Sequence, residues 1–307
     1  MNPILGVFFH AIGGLAAGSF YAPCKKIKGW SWETYWLVLG IFAWIIAPLV
    51  MASMLTPDFV EIIKAVPLSV VFWSYFFGVL WGIGGLTFGL TMRYLGISLG
   101  VSVALGFCAV FGTLVPPIFA GEFMGLVATA SGVVTLAGVA ICLLGIAICG
   151  KAGMMKEKDL SVEDKAQGIA EFDFKKGVVV AIVSGVLSAC MAYAFTAGEP
   201  IQEMAVKTGV SAVHSNIPLL VVILLGGFTT NAIWCIWLSY KNRTFSDYGK
   251  ASQGGSLGRN YMLCLVAGVL WYLQFFFYGM GATQMGKYDF ASWSLHMAFI
   301  IITSNVV

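Results

Sequence analysis

Apolar residues along this chain gather in long runs, separated by short breaks of polar and turn-forming residues. The runs exceed the ten or so alternating positions of a transmembrane β-strand. They match the ~20 residues that an α-helix needs to cross a bilayer. The pattern predicts helices over 3–23, 33–55, 67–90, 96–119, 125–149, 175–198, 212–239, 260–283 and 290–307. The first run has no basic stretch ahead of it, carries His10 and ends against Lys25, Lys26 and Lys28. It therefore predicts a true span rather than a cleaved signal peptide. Pro48, Pro116, Pro117 and Pro218 are expected kinks or hinges. Gly78/Gly82 and Gly85/Gly89 in the third run, and Gly96/Gly100 in the fourth, have the spacing that lets helices approach closely.

Composition narrows the class. Of 307 residues, 59% are hydrophobic and only 10% charged, against about 25% charged in a soluble domain. The 17 Lys+Arg and 14 Asp+Glu cannot coat a globule of this size. A soluble enzyme, a disordered chain and a secreted disulfide scaffold are excluded. A polytopic membrane protein is expected.

The placement of charge adds orientation. Lys25, Lys26 and Lys28 fall in the first loop, Arg93 in the third, Lys151, Lys156, Lys158, Lys165, Lys175 and Lys176 in the fifth, and Lys241, Arg243, Lys250 and Arg259 in the seventh. Only Lys64, Lys207 and Lys287 fall in the even-numbered loops. The positive-inside rule thus predicts cytoplasmic odd loops and an N-terminus on the outer side. Asn242-Arg-Thr244 matches a glycosylation sequon but falls on the cytoplasmic side, so it is discounted. The seven cysteines lie in spans or at inner ends, without metal-ligand spacing, and are expected to be buried free thiols.

The chain also repeats itself. Gly78-Val-Leu-Trp81, Phe88-Gly89 and Gly96 align with Gly268-Val-Leu-Trp271, Tyr278-Gly279 and Gly286 at a constant offset of 190. Gly6-Val7, Gly14 and the small residues 16–19 align with Gly177-Val178, Gly185 and 187–190 at an offset of 171. Helices one and three then correspond to helices six and eight, which makes each unit five helices long. Five is odd, so the second copy is inserted upside down. That is the inverted-topology repeat of secondary transporters, which bind substrate near the midplane between the halves. The expected organisation is all-α, with a first repeat over 1–150, a charged cytoplasmic linker over 151–174 and a second repeat over 175–307. Two full units would make a ten-helix fold, so a tenth helix absent from this chain is expected.

Few groups inside the spans carry chemistry, and each ionisable one is a functional candidate by default. His10 shares a face with Gly14, Gly18 and Tyr21; a core histidine bonded to a neighbouring helix is the plainer reading. His296 shares a face with Asp289, Ser292 and Trp293, a polar stripe that should face a cavity. Asp289 is equally a helix-start carboxylate favoured by the dipole. Glu33 follows Trp30 and Trp32, and either pairs with Lys25, Lys26 or Lys28 or accepts a proton from the cytoplasm. Trp271, Gln274, Tyr278 and Gly281 share one face of the eighth run. Aromatic platforms with one amide suit a neutral polyol or sugar, although ordinary aromatic packing gives the same pattern. Trp81, the repeat mate of Trp271, would supply the opposite wall.

Absences discriminate too. No Lys or Arg lies deep within a span, which favours an uncharged substrate over a phosphate or carboxylate. Walker A, H-E-x-x-H and G-x-S-x-G sequences do not occur. Neither an enzyme, a cofactor nor a nucleic-acid partner is expected.

Four stretches resemble the L-rhamnose–proton symporter family of the drug/metabolite transporter superfamily. They are Phe20-Tyr-Ala-Pro-Cys-Lys-Lys-Ile-Lys-Gly-Trp-Ser-Trp-Glu33, Gly89-Leu-Thr-Met-Arg-Tyr-Leu-Gly96, Leu270-Trp-Tyr-Leu-Gln-Phe-Phe-Phe-Tyr278 and Tyr288-Asp-Phe-Ala-Ser-Trp-Ser-Leu-His-Met297. The resemblance runs the length of the chain and implies ten helices in two inverted repeats. It also implies import of L-rhamnose with protons across a bacterial inner membrane. The family pattern has Asn at the positions of Gly85 and Thr87 and Tyr at that of Phe88, and this departure bears on sugar selectivity and coupling ion. The expected mechanism is alternating access around a midplane site lined by Tyr21, Trp81, Trp271, Gln274 and Tyr278. One or more of His10, Glu33, Asp289 and His296 would take the proton. A drug or metabolite exporter of the same fold, or a transporter with other sugar or ion specificity, is the competing reading.

Overall fold

A computed structural model describes residues 1–95, 97–119, 121–159, 173–250, 254–304 and 306. Gly96, Lys165 and the linker over 160–172 lie outside the described residues, as do the side chains of Arg93, Cys149, Lys156 and Lys158. The described residues are 87% helix, with no strand among them. The long helices are α1 (Pro3–Ser19), α2 (Trp32–Leu55), α3 (Leu68–Leu95), α4 (Ile97–Phe119), α5 (Ala130–Asp159), α6 (Phe174–Ala197), α7 (Ile217–Asn242), α8 (Leu257–Met285) and α9 (Ser292–Ser304). Seven stretches among the described residues are long and apolar enough to cross a membrane, and Ser102–Ile118 is a shorter apolar helix. The last stretch, Leu257–Ser304, is 48 residues long, more than twice what one crossing needs, and contains both α8 and α9. The chain is an all-α polytopic membrane protein.

Local chemistry sets several helix ends. Asn2 caps α1 by accepting from the backbone N–H groups of Ile4 and Leu5, with Pro3 in the first turn. Asp173 caps α6 by accepting from the N–H of Lys176, and that bond holds its carboxyl below the usual carboxylate range. Arg243 closes α7 in the left-handed conformation at φ +58°. The N–H of Thr244 reaches back there to the Ser239 carbonyl.

Two predicted features are corrected. The helix expected from 212 begins only at Ile217, after a 3-10 turn over Ala212–His214, so Pro218 sits in a first turn and is not a hinge. Proline is tolerated there because those N–H groups have no intrahelical partner. The helix expected to end at 149 continues to Asp159. One feature was not expected: α2 is π-helical over Ile41–Ile46, where the Ala47 N–H bonds the Phe42 carbonyl. Pro48 follows directly and has no N–H to offer the Trp44 carbonyl.

Glycine lets helices distant in sequence touch. α1 lies against α8 and α9, while α6 lies against α3 and α4. A Cβ added at Gly6 would meet the Gly281 carbonyl of α8, and one at Gly14 would strike Phe299 of α9. A Cβ at Gly177 would strike Leu95 of α3, and one at Gly185 would strike Phe107 of α4. Gly78 packs on the Ile223 carbonyl of α7, and Gly268 on the Leu39 carbonyl of α2. Gly82 packs against Thr230 of α7. Gly85 and Gly89 differ from the expectation of close contact: a Cβ on either meets nothing within 4 Å. Of the cysteines, Cys24, Cys108, Cys190, Cys235 and Cys264 are buried free thiols, and Cys142 is free and half-buried.

Candidate functional site

The helix contacts of α1, α8 and α9 converge on three rings. His10 of α1 and His296 of α9 face each other with centroids 5.8 Å apart. Tyr278 of α8 lies 5.5 Å from His10 and 5.2 Å from His296. Both histidines are fully buried, at 0% exposure. None of their four ring nitrogens makes a hydrogen bond of ordinary geometry. The expectation of a core histidine bonded to a neighbouring helix is therefore not met. Small residues hold the rings in place. A Cβ at Gly13 would stand 2.9 Å from His296 Cε1, and one at Gly281 would stand 2.9 Å from His10 Nε2.

An imidazole buried without partners sacrifices the hydrogen bonds that water gave it, about 1–3 kcal/mol for each orphaned group. On the other side of the molecule, α6 hydrogen-bonds to the two helices it packs against. There Ser184 Oγ donates to the Gly84 carbonyl at 3.0 Å, and Tyr193 Oη to the Phe111 carbonyl at 3.2 Å. Among the described residues, four of the nine buried side-chain atoms without a hydrogen-bond partner belong to the histidine pair.

Next to the pair lies an aromatic cluster. Phe275 lies 6.4 Å from His296 and 5.3 Å from Trp271. Trp271 and Trp81 are in direct contact, with ring centroids 5.4 Å apart. The Trp81 ring fits because Gly227 of α7 carries no side chain. Gln274 is buried and donates from Nε2 to the Trp271 carbonyl at 2.9 Å. The structure thus brings together His10, Trp81, Trp271, Gln274, Tyr278 and His296.

Three other expected site residues lie elsewhere. Tyr21 is 40% exposed, past the end of α1, with its hydroxyl 3.2 Å from that of Tyr35. Glu33 is buried, and pairing with Lys25, Lys26 or Lys28 is replaced by a different arrangement. Its Oε1 accepts from Asn242 Nδ2 at 2.9 Å and Thr244 Oγ1 at 3.0 Å. The two polar residues of the discounted sequon are therefore partners of a carboxylate. Nearby, Asp247 Oδ2 accepts from the Ser31 N–H and hydroxyl and from Thr34 Oγ1. Asp289 accepts from Ser292 Oγ at 3.0 Å in the 3-10 turn that leads into α9. The carboxylate readings favoured by this geometry are those of helix-end partners.

Sequence reasoning missed Trp44. It lies 5.2 Å from Trp271 and 6.3 Å from Trp81. Inside an apolar run it reads as one more core aromatic, and only the π-helical turn marks it out.

The family model for the L-rhamnose-proton symport protein (RhaT) matches residues 1–307. The chain belongs to that family. L-rhamnose-proton symporters of Escherichia coli (strain ATCC 8739) and Shigella sonnei (strain Ss046) are 41% and 40% identical over 305 and 307 residues. Each alignment covers 99% of this chain and 87% of the relative. No solved structure matches. In this member of the rhamnose symport family, the buried histidine pair lies one phenyl ring away from the contact between Trp271 and Trp81.

Proposed function

We propose that the chain is a proton-coupled secondary transporter that imports L-rhamnose, or a related neutral sugar, by alternating access. The observation that carries the reading is the buried cluster in which two histidines, whose ring nitrogens make no hydrogen bond of ordinary geometry, sit one phenyl ring away from two tryptophans in contact. Relatives at about 40% identity carry the name of L-rhamnose-proton symporter. Trp81, Trp271, Gln274 and Tyr278 would bind the sugar, with Tyr21 and Tyr35 on its route. His10 and His296 would take the proton, leaving Glu33 and Asp289 as acceptors for side chains at helix ends.

Packing supports two inverted repeats, over 1–150 and 175–307 and joined by the linker 151–174, within a ten-helix fold. Gly6 and Gly177 are repeat mates: the first touches α8 and the second α3, which are themselves mates. Gly14 and Gly185 likewise meet α9 and α4, and Gly78 and Gly268 meet α7 and α2. Each half thus docks its first helix into the other half. The distribution of Lys and Arg supports an N-terminus on the periplasmic side of a bacterial inner membrane.

The driving force suffices for one proton per sugar. A proton entering down ~100 mV releases about 2.3 kcal/mol. Half a pH unit adds about 0.7 kcal/mol, and together these sustain roughly hundredfold accumulation.

Calorimetric titration of the purified chain with a panel of neutral sugars tests the substrate. Saturable heat with L-rhamnose that exceeds the heat from other pyranoses is expected. Absence of rhamnose binding would contradict the assignment.

A further inference from the structure

Trp44, Trp81 and Trp271 form a closed triangle of rings, with centroid separations of 5.2, 5.4 and 6.3 Å. Trp44 is 3% exposed, yet its Nε1–H makes no hydrogen bond of ordinary geometry. Other indoles nearby do find acceptors. Trp36 Nε1 donates to Asn231 Oδ1 at 2.9 Å, and Trp293 Nε1 to the Cys108 carbonyl at 3.1 Å. A buried donor left unpaired is destabilising, and it sits in the one span that is locally π-helical among the described residues. π turns commonly occur at functional positions. Here the wide turn is tied from Ala47 back to Phe42, while Pro48 leaves the Trp44 carbonyl without its usual N–H partner. The backbone that carries this indole is therefore held less tightly than the helices that carry the other two.

We propose that Trp44 is a third wall of the sugar site and that its indole N–H donates a hydrogen bond to a hydroxyl of the bound neutral sugar. This rests on the transport reading above. With the three rings in mutual contact, a pyranose enters only if one of them moves, and Trp44 stands on the loosened turn. Its ring now rests against Gly40, where a Cβ would lie 2.7 Å from Cζ3. When the sugar displaces the indole, the unpaired N–H gains the acceptor that the protein itself does not supply. The apolar faces of Trp81 and Trp271 then cover the ring carbons of the sugar.

The test compares L-rhamnose binding to the wild-type chain, Trp44→Phe and Trp30→Phe by calorimetry. Trp30 is the control because its Nε1 is also unpaired, but its ring stacks edge-on against Tyr261 away from the cluster. Trp44→Phe keeps an aromatic ring and loses the donor, so about tenfold weaker binding is expected, while Trp30→Phe stays within about twofold. Indole ¹⁵N–¹H spectra of the wild-type chain give a second readout that needs no variant to fold well. L-rhamnose is expected to shift the Trp44 resonance and leave that of Trp30 in place. Wild-type affinity in Trp44→Phe, or an unmoved Trp44 resonance at saturation, overturns the proposal and leaves the transport reading standing. Absence of rhamnose binding by the wild type overturns both.

Discussion

Two imidazole rings 5.8 Å apart in a protein interior compete for charge. At an effective dielectric constant of ~20, two unit charges at that separation repel by about 3 kcal/mol. On the proposed reading, His10 and His296 would therefore share a single proton, and either ring alone would be an incomplete site. Couplings between two ligands are typically about 1–3 kcal/mol, so His10→Gln or His296→Gln is expected to lower uptake at a fixed pH gradient by about 5- to 150-fold. Sugar counterflow, which needs no net proton movement, should persist in both. The pH dependence follows in sign: the proton is a co-substrate from outside, so raising the outer pH lowers wild-type uptake and leaves the two variants nearly flat. Radiolabelled uptake across a range of outer pH checks both expectations. The histidines were legible in the sequence because an ionisable group within an apolar run is conspicuous. The partners of Glu33 were not, because Asn242 and Thr244 lie 209 and 211 residues away and periodicity along one helix does not say which helix it will meet.

At the scale of elements, the positions of the long helices follow from the lengths of the apolar runs, and the contacts follow from where glycine removes a Cβ. The two glycine pairs of α3 have the same spacing but different surroundings. Gly78 and Gly82 face α7, whereas Gly85 and Gly89 face open space. Spacing marks a face that permits close approach and cannot say whether a neighbour uses it. Overpacking costs about 1–3 kcal/mol, so Gly78→Ala is expected to lower thermal stability in detergent by that amount while Gly85→Ala is nearly neutral. Fluorescence-detected melting of the two variants distinguishes them. Glu33→Ala would remove the buried carboxylate that accepts from the exposed Asn242 and the half-buried Thr244 at the end of α7, a loss of about 1–3 kcal/mol in all. It is expected to melt early while keeping the proton-to-sugar ratio of the wild type. A changed ratio would restore Glu33 as a proton carrier. The π turn of α2 was illegible, since Pro48 announces a disturbance without saying that it would be a widened turn carrying Trp44.

The whole molecule joins helices that are distant in sequence. α1 packs with α8 and α9, while α6 packs with α3 and α4. If these groups rock against each other, spin labels on α1 and α8 should keep their separation when L-rhamnose is added, and labels on α1 and α6 should change theirs. Pulsed electron resonance on the two pairs reads this directly. The scarcity of charge, visible from composition alone, acquires its meaning at this scale: Trp271 of α8 meets Trp81 of α3 where the two groups touch, the histidine pair lies beside that contact within the first group, and on the proposed reading this uncharged surface takes a sugar and one proton. The most direct test of that account is pH recording with the chain in de-energised proteoliposomes. Addition of L-rhamnose to the outside is expected to make the medium more alkaline as protons enter with the sugar. Measurable rhamnose uptake with no change in pH would contradict proton coupling.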